Sequence, residues 1–95
     1  MALARMVSFE GVSKERMEEM KGQMAEGDRR PEGMPPSEFI MLHDPEAEKS
    51  VAIMIFETED DYSRADELLN AMPSEDTPGR RASVSKYDVA HRMTV

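Results

Sequence analysis

Two short apolar runs, Phe39-Ile40-Met41-Leu42 and Val51-Ala52-Ile53-Met54-Ile55-Phe56, constrain this chain more than any other feature. The polar stretch His43 to Ser50 joins them. Each run is shorter than an ordinary helix, and the second is rich in β-branched and aromatic residues, so both read as strands. A strand that is apolar at every position, rather than every second one, is buried on both faces of its sheet. The chain supplies only two helical segments, enough to cover one face. The other face therefore calls for a second copy of the chain.

At 95 residues the expectation is a single domain over 1–95, with a core that needs neither metal nor disulfide. Cysteine is absent, which removes disulfides and thiolate metal sites. The first residues, Met1-Ala2-Leu3-Ala4-Arg5, lack the pattern of a signal peptide. The longest apolar run is six residues, against the roughly 20 that span a bilayer. A soluble, cytoplasmic protein without a membrane partner is expected.

The net charge of −8 argues against nucleic acid, whose phosphates reward clustered Lys and Arg. The charge is uneven. Glu57 to Asp76 holds eight acids against Arg64 alone, whereas Arg80 to Arg92 holds four bases against Asp88. This reads either as a solvated acidic helix beside a mildly basic strand or as complementary surfaces meeting across a dimer.

Along the chain, Ala2 to Glu10 is a strand bounded by Gly11. Ser13 is then an N-cap, with Glu15 in the favourable first turn. Met17, Met20 and Met24 form a stripe on a helix to about Glu26, stopped by Gly27. Gly27 to Pro36 is a loop, with two glycines and three prolines. The strand Glu38 to Leu42 leads to a turn beginning at Asp44-Pro45, and Ser50 to Glu57 returns. Thr58 caps a second helix with Glu59, Asp60 and Asp61 in its first turn. Its stripe is Tyr62, Ala65, Leu69 and Met72, and Pro73 ends it. After the loop Ser74 to Arg80, a last strand runs from Arg81 to about His91.

The order strand, helix, strand, strand, helix, strand is the ferredoxin-like split βαβ arrangement, an α+β fold. Right-handed crossovers put both helices on one face of a four-stranded antiparallel sheet. The bare face exposes a larger apolar patch than a monomer normally tolerates. Two such faces packed together make a two-fold dimer with a barrel-like interior.

Three stretches carry a resemblance to a known family: Ala4-Arg5-Met6-Val7-Ser8-Phe9-Glu10-Gly11-Val12-Ser13, Phe56-Glu57-Thr58-Glu59-Asp60-Asp61 and Ser83-Val84-Ser85-Lys86-Tyr87-Asp88-Val89-Ala90. With them the chain resembles the dimeric α+β barrel superfamily, and within it the antibiotic biosynthesis monooxygenase-like domains. The resemblance implies a homodimer with facing sheets and a small-molecule cavity between each sheet and its helices. Members include cofactor-independent oxygenases of aromatic polyketides and haem-degrading enzymes. The haem-degrading relatives use a helical histidine and a tryptophan. This chain has no tryptophan, and neither histidine falls on a helical segment. The polyketide oxygenases use tryptophan, asparagine, tyrosine and arginine, of which Asn70, the tyrosines and the arginines remain as counterparts.

Among single residues, His43 beside Asp44 reads as a base oriented by a carboxylate or as a turn residue at a hairpin mouth. Tyr87 offers a ring and a hydrogen-bonding tip to a cavity, or else packs under a helix. Tyr62 belongs to the core, and His91 to a dimer contact or frayed tail. Arg5 and Arg81 are candidates to hold a carboxylate or enolate, or are ordinary surface arginines. The methionines fill a core or line a cavity for varied apolar ligands. The histidines form no metal-ligand pattern, and no phosphate loop, nucleophile elbow or nucleotide fingerprint is present.

The expected function is therefore a homodimeric domain that binds an apolar or aromatic metabolite. As an enzyme it would be a cofactor-independent monooxygenase, in which the deprotonated substrate reduces dioxygen directly, with His43 and Tyr87 handling the proton and orienting the substrate. The alternative is a non-catalytic ligand-binding or structural dimer. Neither reading calls for a cofactor or a metal.

Overall fold

Residues 2–26, 33–71 and 78–94 are described by a computed structural model, except for the side chains of residues 24–26. The elements are β1 (Leu3–Glu10), α1 (Lys14–Glu26), β2 (Glu38–Asp44), β3 (Lys49–Phe56), α2 (Glu59–Asn70) and β4 (Arg80–Asp88). Both helices begin where capping chemistry places them. The Arg16 amide donates to Ser13 Oγ at 3.1 Å, and the Asp61 amide to Thr58 Oγ1 at 3.1 Å. Met24, Met72, Pro73 and much of the two loops lie outside the described side chains or residues.

The strands form one antiparallel sheet in the order β2-β3-β1-β4. That is the ferredoxin-like arrangement, with the first and third strands in the middle. Alternation along β1 assigns the faces. Leu3, Arg5, Val7 and Phe9 are buried, and the residues between them are half-buried. Val7 and Phe9 pack with Val12 and Met17 under α1. Leu3, Met54 and Phe56 pack with Tyr62 and Ala65 of α2. Both helices therefore cover the same face.

Register puts Ala4, Met6, Ser8 and Glu10 of β1 on the other, open face. Ile53 pairs with Met6 on one side and Ile40 on the other, and Val51 pairs with Ser8 and Leu42. The two apolar runs thus supply apolar residues to both faces of the sheet. On the open face they remain exposed in the single chain: Ile40 at 41 % and Leu42 at 51 %. Their β3 neighbours Val51, Ile53 and Ile55 are only half-covered.

The far ends of β2 and β4 differ from expectation. β2 continues through His43 to Asp44, because Asp44 still pairs with Lys49. The turn is Pro45 to Glu48, tightened by the Glu46 and Ala47 amides donating to Asp44 Oδ1 at 3.2 Å each. Glu48 adopts φ 55°, and its carbonyl accepts from the Val12 amide at 2.7 Å. The hairpin is thereby tied to the start of α1. β4 ends at Asp88 rather than near His91, although the Val89 amide still donates to the Ala2 carbonyl at 2.8 Å. Beyond it Arg92 pairs with Glu38 and Glu57, so the chain runs along one end of the sheet.

Gly79 packs so closely that a Cβ there would lie 2.5 Å from the Glu10 carbonyl oxygen and 2.8 Å from Val12 Cγ2. The first contact is with backbone, which cannot rotate aside. Gly79→Ala is expected to cost about 1–3 kcal/mol by displacing the entry to β4. A urea midpoint equal to that of the wild type would contradict this.

Candidate functional site

Arg5 occupies the second position of a strand face otherwise made of Leu3, Val7 and Phe9. It is 3 % exposed. A buried guanidinium needs partners, because leaving one unpaired in an apolar site costs several kcal/mol on the order of an ion's desolvation. The partners come from α2. Asp66 and Asn70 are four residues apart, so both stand on one side of the helix. Arg5 Nε donates to Asp66 Oδ1 at 2.9 Å, and Nη2 donates to Asn70 Oδ1 at 3.0 Å. Arg81 on β4 meets the same amide oxygen, donating from Nη1 at 2.9 Å and from Nη2 to the Leu69 carbonyl at 3.3 Å. Its charge also suits the carbonyl end of α2. Asn70 accepts from both arginines through one oxygen, which fixes the orientation of its amide.

This polar corner closes one side of a cleft between the sheet and the helices. The cleft holds about 140 Å³ and falls between the two packed clusters of the core. Val7, Phe9, Phe39, Met41 and Met54 give it an apolar wall, with Met20 from α1 and Leu69 from α2. Phe39 lies on the edge strand and is 44 % exposed. A cleft of this kind, apolar with a few convergent polar groups, is what small-molecule sites look like.

Tyr62 sits below the cleft as a core residue, as expected. Its ring meets Phe56 edge to face, with centroids 5.9 Å apart. Lys86 lies over the ring at 4.9 Å and is held there by Glu59. Burial, followed by the Asp66 carboxylate, raises the phenol above its ordinary pKa. The bond to Glu59 raises that of the Lys86 ammonium. Tyr62 therefore stays protonated and Lys86 charged at neutral pH.

His43 and Tyr87 are not brought together. His43 faces the helices, but beside Met17, Lys14 and Pro45, in a depression separate from the cleft. Its Nε2 donates to the Val12 carbonyl at 3.0 Å, so Nε2 carries the proton. Asp44 does not orient it. Neighbours on a strand point to opposite faces, and Asp44 Oδ1 accepts from turn amides instead. Tyr87 pairs with Ala4 on the open face, 54 % exposed and packed under no helix. His91 is exposed beyond β4. Among the described residues no group of three or more His, Asp or Glu side chains is placed to hold a metal, and no helix is long and apolar enough to cross a membrane.

Arg5, Asn70 and Arg81 are each candidates in the sequence, but nothing local joins Arg5 to Asn70, 65 residues on. Asp66 was missed. Its signal was the four-residue step to Asn70 on an otherwise apolar-striped helix. In comparisons with protein-family models, curated proteins and solved structures, the chain matched none.

Proposed function

We propose that the protein is a two-fold dimer that binds a small apolar or aromatic metabolite in the cleft of each subunit, as a non-catalytic binding module. The observation that carries the ligand reading is the cleft itself, an apolar space ending on a buried, hydrogen-bonded arginine. Its volume is close to that of an engineered cavity of about 150 Å³ that accepts benzene. The monooxygenase-like reading asks for a base beside the substrate. The two residues expected to supply proton handling stand apart from the cleft and on opposite faces of the sheet. The observations therefore support binding further than catalysis.

The dimer reading rests on how the open face is built. Its charged positions stand at its ends, with Glu10, Asp44, Lys49 and Arg80 in one row and Glu38 at the other. Between them lie Met6, Ile40, Leu42, Val51, Ile53 and Ile55, with serines and Tyr87 toward β4. An apolar centre with a charged rim is the anatomy of an interface. Strands of this length at the usual spacing give a face of roughly 500 Å². Two faces together hide roughly 1,000 Å², the lower bound for a specific interface.

Titration of isotope-labelled protein with toluene or indole tests the ligand reading. The amides of Val7, Ala52, Met54 and Leu69 are expected to shift first. No shifts, or shifts confined to Ile40, Ile53 and Ile55, would contradict it.

A further inference from the structure

The polar corner of the cleft holds more positive charge than its described neighbours neutralise. Arg5 is matched by Asp66 at 2.9 Å. Among the described residues, Arg81 reaches only the Asn70 amide oxygen and the Leu69 carbonyl, both uncharged. Arg5 spends Nε on Asp66 and Nη2 on Asn70, which leaves Nη1 with no hydrogen-bond partner among the described residues. No fully buried side-chain nitrogen or oxygen among those residues lacks a partner, so Nη1 is not fully sealed off, and Arg5 lines the cleft. Arg5 and Arg81 both line the cleft and bond to the same oxygen. Their guanidiniums therefore lie within the combined length of two hydrogen bonds.

In a chain whose net charge is −8, two guanidiniums converging at the wall of an apolar cleft with Asp66 as their one carboxylate partner among the described residues leave one positive charge for an anion. We propose that the cleft takes a small monocarboxylate with an apolar or monocyclic aromatic body, its carboxylate bound by Arg81 and the Nη1 edge of Arg5. The excess of one positive charge matches a monoanion. The volume of about 140 Å³ sets the body at about the size of one aromatic ring. Planar guanidinium forks suit a carboxylate in particular. The apolar wall of Val7, Phe9 and Met54 leaves no second polar anchor for a sugar or a nucleotide.

This proposal rests on the cleft being a ligand site, and the test separates the two claims. Benzoate and hexanoate are titrated into the full chain beside their neutral counterparts benzamide and hexanamide, with binding followed by amide shifts. The carboxylates are expected to bind about tenfold more tightly than the amides, the usual effect of a charge-assisted contact. Arg81→Gln, at an exposed position, should remove about that factor for the carboxylates and leave the amides unchanged. An Arg81→Lys variant should restore part of it. Equal binding of acid and amide, or an equal loss for both in Arg81→Gln, overturns the carboxylate assignment while the cleft reading survives. Absence of any shift with all four probes overturns both.

Discussion

Ile53→Glu is expected to abolish the proposed dimer and yield a folded monomer. Ile53 lies at the centre of the open face, flanked in register by Met6 and Ile40. Its side chain points away from the helices, so the substitution leaves the core of the single subunit untouched. In the proposed dimer a two-fold axis would bring two such carboxylates into one apolar interface. An unpaired buried charge costs roughly 3 kcal/mol or more, so the dissociation constant should rise by at least about a hundredfold. Circular dichroism should be unchanged while the sedimenting mass halves. A variant that still sediments as a dimer would mean that copies associate elsewhere.

The second large effect falls on the core. Phe56 is fully buried, at 0 % exposure. It packs with Leu3, Met54 and Ala65 and meets Tyr62 edge to face. Phe56→Ala should cost about 3–5 kcal/mol, the range for deleting a buried aromatic ring. A domain of this size has a total stability of about 5–10 kcal/mol, so the variant should lose between about a third and all of it. Phe39→Ala, at a position 44 % exposed, is the matched control, with a loss of about 1 kcal/mol. The urea midpoints of the two variants check this, given equal m-values. Similar midpoints would place the core elsewhere.

Most of the fold was legible because its signals are local. Ser13 and Thr58 cap the helices through bonds three residues ahead. The apolar runs became β2 and β3 because short, β-branched segments bounded by turn residues have few alternatives. Where the chain is apolar at every position, period-two alternation vanishes and the sequence cannot say which residue faces which way. Register decides it here, through the Pro45 to Glu48 turn. The pairing of His43 with Asp44 fails for another reason: β2 continues through both, so these neighbours face opposite sides of the sheet. The extent of β4 was overestimated because Val89 keeps one ladder bond after the strand has ended.

The candidate site was legible in its parts and not in its assembly. Arg5 reads in the sequence as an anion-holding candidate or a surface arginine, whereas the structure buries it in phase with Leu3, Val7 and Phe9. Its bond to Asp66 and the convergence of Arg81 on Asn70 join β1, α2 and β4, contacts that only tertiary packing creates. Gly79 hid for the same reason, since only the close approach of Glu10 and Val12 forbids a side chain there.

Sedimentation velocity of the unmodified protein at micromolar concentration tests the dimer most directly. A single species with the mass of two chains is the predicted result. A stable, well-behaved single chain across that range would contradict it, and would leave Ile40, Leu42, Val51, Ile53 and Ile55 facing water.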